Sequence, residues 1–209
     1  MRGFNVDNQA IIELKIQELS DDFYENPDEF FNEHDFHHKF YCMMYLEFKN
    51  LLHPEYPTRK RFVKDKLDAE EYSYGIHCFN PEDQNLRKKS RRGHYDFAIF
   101  KEEYYYEHIG MLDQFDRLSN KNVNTNIDIQ DQYIEFAFEF KYITNGSISV
   151  IKEIEFDIFK LKEAKEAKNK YLIIFIKKIF SDKGFKQIIK PLNKLKEEEK
   201  GIEILIFSK

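Results

Sequence analysis

Two charged side chains on one predicted strand are the best candidates for chemistry in this sequence. The stretch from Ile134 to Lys141 alternates apolar and polar residues, which predicts a half-buried strand with Glu139 and Lys141 on one face. A carboxylate and an ammonium group two residues apart on a strand project side by side. This pairing suits a divalent metal ion and the water molecule that the metal activates. The alternative is an exposed charge pair, which contributes less than ~1 kcal/mol to stability.

A second strand is predicted from His94 to Phe100, and it carries Asp96 on the face opposite its apolar side chains. If the two strands are neighbours, Asp96 and Glu139 converge within reach of one Mg²⁺ ion, which prefers hard oxygen ligands. Lys141 then orients or deprotonates the attacking water, or steadies the phosphorus of a phosphodiester. The alternative for Asp96 is a carboxylate at a strand edge, close to Arg91 and Arg92.

The elements that must position these residues alternate between helix and strand in the second half of the chain, which predicts an α/β fold with some parallel pairing. A single domain, 1–209, is expected, because no repeat or linker divides the chain. Residues 58–93 read as irregular, with a short helix near 60–70. The other predicted elements are helices at about 7–20, 27–52, 102–118, 147–168 and 184–198, and strands at 94–100, 132–142, 171–176 and 202–207.

Charge is segregated along the chain, although the net charge is only −5. Residues 1–57 and 94–157 each carry a net charge of −8, whereas 58–93 carry +4 and 158–209 carry +7. The acidic central block contains the candidate site and has a basic block on either side. A metal site inside a phosphate-binding surface produces this pattern, and so does a set of solvated helices.

The order of these features resembles the PD-(D/E)XK nuclease superfamily. In that superfamily an Asp on one strand precedes Glu-x-Lys on the next, and the matching positions here are Asp96, Glu139 and Lys141. The segment 154–161, followed by the apolar strand 171–175, resembles the helix and strand that close the core of these enzymes.

Many members also carry a Glu on a helix before the first core strand. Glu33 is the match, because Phe36 and Phe40 at i+3 and i+7 place it on the buried side of its helix. The alternative for Glu33 is an ordinary surface residue. The sequence departs from the family in two ways. Tyr95 stands where a proline often precedes the Asp, and the long sequence separation between Asp96 and Glu139 requires an insertion at about 101–131.

The resemblance implies a restriction-endonuclease-like α/β sandwich, with a mixed central sheet flanked by helices. It also implies a Mg²⁺-dependent endodeoxyribonuclease that hydrolyses DNA, with Mn²⁺ as a substitute metal, in defence, restriction or mobile-element biology. Many such nucleases pair as homodimers, but the sequence identifies no face for pairing. The implied catalytic residues are Asp96, Glu139, Lys141 and Glu33. The implied metal ligands are Asp96 and Glu139. The implied phosphate-binding residues are Arg91, Arg92 and Lys160.

Three alternatives of another kind remain open at this stage. The same fold can serve as a non-catalytic module that binds nucleic acid or protein. The net acidity of the chain and its aromatic insertion are compatible with protein–protein contact. His34, His37 and His38 suggest a zinc site, in which His34 and His38 share a helix face, but no third ligand of matching spacing appears. The tyrosines at 104–106 are expected to pack an insertion helix against the core, with stacking on bases as the alternative.

A cytoplasmic location is expected on two grounds. Charged residues interrupt the apolar residues near the N-terminus early, so no signal peptide is predicted, and the apolar runs are too short to cross a bilayer. The two cysteines lack the spacing of a metal site and are too few for a disulfide framework.

Overall fold

The computed structural model describes residues 7–63, 68–71, 91–106 and 132–209. Most of the predicted insertion at about 101–131, and of the basic loop at 86–93, lies outside the described residues. Within them, six strands form one sheet with helices on both faces. The predicted α/β class, with a mixed sheet flanked by helices, is therefore confirmed.

Two helices precede the sheet, as the apolar periodicity predicts. Helix α1 spans Asn8–Glu25 and helix α2 spans Glu33–Phe48. The second was predicted to begin at Pro27, but this proline begins only a 3₁₀ turn, Pro27–Glu29. The reason is a capping box that begins five residues later, at Asn32. The Asn32 side chain caps the first backbone N–H groups of α2, and the Asp35 side chain binds the Asn32 N–H in return.

The sheet begins as an antiparallel meander and continues as parallel strands. Strand β3 pairs antiparallel with β1 and with β4, whereas β4, β5 and β6 are parallel. Helices α3 (Ser149–Glu163) and α4 (Asp182–Glu198) make the two crossovers that parallel pairing requires. The strands are β1 (Leu52–Val63), β2 (Asp68–Glu71), β3 (Arg91–Phe100), β4 (Ile134–Ile143), β5 (Ala167–Ile176) and β6 (Glu203–Ser208), in the spatial order β2-β1-β3-β4-β5-β6.

Strand β1 corrects the prediction that residues 58–93 begin an irregular region with a helix near 60–70. Pro54 and Pro57 concealed it, because proline within a run argues against a strand. The structure accommodates them with an irregular backbone: Glu55 has a positive φ, and the register against β3 shifts between Pro57 and Arg61. A bulge leaves a residue without its ladder hydrogen bond, so a strand can accommodate proline there.

The sheet separates two cores of different composition. Helices α1 and α2 cover one face, where the core is rich in phenylalanine, and α3 and α4 cover the other mainly with isoleucines and leucines. Alternation along β4 sends Phe136, Phe138 and Phe140 to the α1/α2 side. Glu139 and Lys141 consequently face α3, on the opposite side of the sheet.

None of the helices in the described part of the chain combines the length and the apolar character needed to cross a bilayer.

Candidate metal centre

The candidate centre forms where β3 and β4 lie side by side. These strands are antiparallel neighbours with Phe97 opposite Phe138, so the same register places Asp96 across from Glu139. The Asp96 carboxylate reaches the backbone of β4, where its Oδ2 accepts a hydrogen bond of 2.6 Å from the N–H of Phe140. The adjacency on which the predicted metal site depends is therefore present.

The predicted alternation of β3 ends at this point. Phe97 and Ile99 face α1 and α2, but Tyr95 packs on the other side of the sheet. Its buried hydroxyl donates a 2.8 Å hydrogen bond to the carboxylate of Glu166. Tyr95 and Asp96 thus depart from strict period two, which frees the Asp96 side chain to reach the Phe140 N–H.

Glu139 is almost fully buried, with 1% of its surface exposed. Its Oε2 lies 2.7 Å from the Lys160 ammonium, while its Oε1 has no hydrogen-bond partner among the described residues. Burial raises the pKa of the Glu139 carboxyl well above its ordinary value. The attraction of Lys160 offsets this effect only in part, and repulsion from Asp96 and Asp157 adds to it. A buried carboxylate oxygen without a donor is costly unless a cation or another donor completes it.

Lys160 projects from α3 into the same buried space. Besides Glu139, its ammonium contacts Asp157 at 3.4 Å and donates a 2.8 Å hydrogen bond to the carbonyl oxygen of His94. Burial alone would lower the pKa of Lys160, but these two carboxylates outweigh it and raise the pKa. The family resemblance implied that Lys160 binds phosphate. In the structure, its ammonium group is instead in contact with protein oxygens.

Lys141 links the two sides of the centre. Its ammonium lies 3.3 Å from Asp157 on α3 and 3.4 Å from Glu33 at the start of α2. Burial opposes protonation of this lysine, yet the surrounding carboxylates raise its pKa, so it carries a positive charge at neutral pH.

Helix α2 contributes a carboxylate and an imidazole from one face. Glu33 and His37 are four residues apart, and one ligand atom from each lies within 4.8 Å of the other and of an Asp96 oxygen. Burial raises the pKa of Glu33, and Asp96 adds repulsion that Lys141 partly offsets. The His37 Nε2 is 3.4 Å from Asp96 Oδ2.

The His37–Asp96 contact shifts both pKa values in the directions expected of an ion pair. Burial disfavours the charged form of His37, but the Asp96 carboxylate outweighs burial and raises the imidazole pKa. Burial likewise disfavours the Asp96 carboxylate, yet His37 and the Phe140 N–H outweigh it and lower the pKa of Asp96.

These contacts divide the centre into two halves. The α2 half contains Glu33, His37 and Asp96; the α3 half contains Glu139, Asp157 and Lys160. Lys141 lies between them. Among the residues that the structure describes, the α2 half is the group with metal-ligand spacing, and Glu139 is not part of it. The predicted ligand pair of Asp96 and Glu139 is thus divided between the two halves.

Sequence reasoning did not single out Asp157, and it grouped His37 with His34 and His38 as a zinc hypothesis rather than with Glu33 and Asp96. Of these three histidines, His37 contacts Asp96, whereas His38 contacts the Cys42 sulfur at 3.8 Å. The signal for His37 was its spacing of four from Glu33. The signal for Asp157 was an acidic residue within the apolar stripe of α3, three residues before Lys160.

Other predicted residues lie away from the centre or outside the description. Arg91 and Arg92 are the first residues of β3, and their side chains are not among those described. Tyr104 and Tyr105 are buried, and Tyr104 stacks on Tyr133 with ring centroids 5.0 Å apart. Glu135, on the same face of β4 as Glu139, is paired with Lys168 at 2.7 Å.

The charges of the centre do not cancel. Two lysines face four carboxylates, which leaves a net charge of −2 when these six groups are ionised and His37 is neutral, and −1 when His37 is protonated. A divalent cation would offset this excess of negative charge. Carboxylate oxygens are the ligands that Mg²⁺ prefers, whereas an imidazole ligand is better suited to a transition metal ion. The carboxylates are those of Glu33, Asp96, Glu139 and Asp157.

Comparison of the chain with protein-family models, with curated proteins and with solved structures finds no match. The contacts described above are therefore the basis on which a function is assigned.

Proposed function

We propose that this protein is a metal-dependent nuclease of the PD-(D/E)XK kind that hydrolyses phosphodiester bonds in DNA. The observation that carries the proposal is the Oε1 atom of Glu139, a buried oxygen without a hydrogen-bond partner in the part of the chain that the structure describes. It lies on the strand next to Asp96 and two residues before Lys141. A cation that bound Glu139 and Asp96 would satisfy this oxygen and relieve the repulsion that helps to raise the pKa of Glu139.

The order of the elements also supports the proposal. An Asp-bearing strand is followed by an adjacent strand with Glu-x-Lys, then by α3, and then by β5 parallel to β4. This is the order on which the resemblance rests, and helices cover both faces of the mixed sheet. We infer a restriction-endonuclease-like sandwich from these features.

The residues present fit a divalent metal. Asp96 and Glu139 would hold it from the sheet, and Glu33 and His37 would complete the donor set from α2. When bound, Mg²⁺ or Mn²⁺ supplies activation of a water molecule and neutralises charge on the phosphate.

The remaining residues have distinct roles in this proposal. Lys141, charged and 3.4 Å from Glu33, would orient the attacking water and stabilise the charge on the phosphate oxygens. Lys160 would act as a positioning residue, because its bond to Oε2 holds the Glu139 carboxylate with Oε1 free. Asp157 would hold both lysines through its two oxygens.

The test is cleavage of plasmid and linear DNA in Mg²⁺ or Mn²⁺ by variants of matched shape. Asp96→Asn, Glu139→Gln and Lys141→Met should each lower the cleavage rate by at least about a hundredfold while the far-ultraviolet circular dichroism is unchanged. Glu135→Gln is the matched control: this glutamate lies on the same strand and face and is also paired with a lysine, Lys168. Wild-type rates in all three site variants, or equal loss in the control, would refute the proposal.

One observation favours the second candidate, a non-catalytic binding module on the same fold. Lys160 already neutralises Glu139, which lies outside the group with metal-ligand spacing. Titration calorimetry separates the two functions. Binding of Mg²⁺ or Mn²⁺ that Asp96→Asn abolishes supports the nuclease, and no measurable binding by the wild type supports the module.

A further inference from the structure

Helix α4 presents a face of exposed lysines. Lys183, Lys186, Lys190 and Lys194 fall at i, i+3, i+7 and i+11, which places them within about 80° around the helix axis. The row is about 16 Å long at 1.5 Å per residue. We refer to these four residues as the lysine face.

The opposite side of α4 packs against the core. Ile188 and Leu192 are buried in the α3/α4 cluster, and Phe185, Ile189 and Leu195 pack against it. None of the large apolar side chains of α4 is among the exposed ones, so the helix presents no exposed apolar face.

The charge of this face is poorly balanced within the protein. From Lys183 to Lys196 the helix contains five lysines and no acidic residue. Among the described residues, Lys183, Lys186 and Lys190 form no ion pair, and Lys194 reaches only Glu198, at 3.5 Å. Lys186, Lys190 and Lys194 follow one another at i, i+4, where like charges destabilise a helix. A solvated helix ordinarily mixes the two signs, so this arrangement indicates an external anion.

The lysine face begins at the same end of the sheet as the candidate metal centre. The backbone N–H of Lys177, just after β5, donates to the carbonyl oxygen of Ile143, two residues beyond Lys141. A Cβ atom added to Gly146 would lie 3.1 Å from the Gly184 Cα, so the loop after β4 touches the first turn of α4. The lysine face therefore begins at Lys183, beside the loop that follows β4. From there it runs along α4 toward the opposite end of the sheet.

We propose that the lysine face of α4 binds the phosphate backbone of duplex DNA, as a contact separate from the metal centre. Each strand of a duplex presents a phosphate about every 3.4 Å along its axis, so the row faces several consecutive phosphates. The identity of the polyanion as DNA rests on the proposed function. An anionic membrane is disfavoured as the partner, because a helix that lies in a membrane surface needs an exposed apolar face.

The experiment measures binding without metal, so that cleavage plays no part. Fluorescence anisotropy of a labelled DNA duplex of mixed sequence, in EDTA, is recorded for the wild type and for Lys186→Gln/Lys190→Gln. The control is Lys165→Gln/Lys200→Gln, which makes the same change in net charge. Both control lysines are exposed, form no ion pair among the described residues, and precede β5 and β6 at the opposite end of the sheet.

The lysine-face variant should bind at least about fivefold more weakly at about 100 mM salt. It should also lower the slope of log affinity against log salt by about 2, one for each lost phosphate contact. The control should match the wild type. Equal losses in both variants, no loss in either, or binding of the wild type to phosphatidylserine vesicles but not to DNA would overturn the proposal. Lysine-dependent DNA binding by a protein that does not cleave would refute the nuclease activity and leave this inference standing.

Discussion

The two halves of the candidate centre contain similar side chains but differ in their access to water. In the α2 half, 34% of the Glu33 side chain and 13–15% of His37 and Asp96 are exposed. In the α3 half, Glu139, Asp157 and Lys160 are exposed by only 2–9%. A solvent-accessible carboxylate can exchange water for a metal ion or a phosphate, whereas a buried one must keep a fixed partner.

This difference assigns separate tasks to the two halves. In the proposed function, the α3 half would fix the position of Glu139 through Lys160, and the α2 half would offer its side chains to a metal ion in exchange for water. Lys141 contacts Asp157 in one half and Glu33 in the other, so it couples them.

The largest effect is expected when the buried cation is removed. Lys160→Met should lower the free energy of unfolding by about 3–5 kcal/mol, because Glu139 and Asp157 are then left buried beside each other. Urea denaturation measures the loss. Lys162→Met is the control, since Lys162 is half exposed and its pair with Glu199 should contribute less than ~1 kcal/mol. Equal losses in the two variants would remove the distinction between the halves.

A divalent metal should stabilise the protein through the more open half. With Mn²⁺ at a hundred times its dissociation constant, the gain should be about 2.7 kcal/mol, or a rise in Tm of roughly 5–10 °C relative to EDTA. Thermal unfolding of Asp96→Asn should show no such rise, while the exposed-site control Glu102→Gln should behave as the wild type. The same rise in Asp96→Asn would place the metal elsewhere.

Removal of the bridging lysine should cost less than removal of the buried one. Lys141→Met should lower the free energy of unfolding by about 1–2 kcal/mol, because water can solvate Glu33 and only Asp157 loses a partner inside the protein. The comparison with Lys160→Met is made in the same urea series without metal. A larger loss for Lys141→Met than for Lys160→Met would show that the α2 half is the more enclosed of the two.

The smallest effect is a pH dependence of the His37–Asp96 contact. The pKa of Asp96 is lowered from 3.8, so its contribution to stability is complete above pH 3.8 and is lost as pH falls through the lowered value. The pKa of His37 is raised from 6.5, so its contribution is complete below pH 6.5 and is lost as pH rises through the raised value.

The contact therefore stabilises the fold most between these two limits. In EDTA, His37→Gln should cost on the order of 1 kcal/mol or less at pH 5.5, and the cost should shrink at pH 9. Chemical denaturation at the two pH values measures it. A cost that grows with pH would contradict the direction of the His37 shift.

Local patterns were sufficient for much of the fold. Period two in 134–141 identified β4 and placed Glu139 and Lys141 on one face, and apolar stripes identified α1, α3 and α4. The resemblance pointed to Glu33, which the structure places beside Lys141. Patterns failed where a local rule was overridden. Prolines concealed β1, and the capping box at Asn32 moved the start of α2 away from Pro27.

The sequence by itself determined which chemical groups are available: a Glu-x-Lys strand, an upstream Asp, and a strongly basic last quarter of the chain. Tertiary structure alone decided which of them meet. The antiparallel pairing of β3 with β4 brought Asp96 across from Glu139, the packing of α2 and α3 on opposite faces added His37 and Asp157, and burial paired Lys160 with Glu139. The physical reason is that side-chain direction follows from local periodicity, whereas proximity and dehydration depend on how distant segments pack.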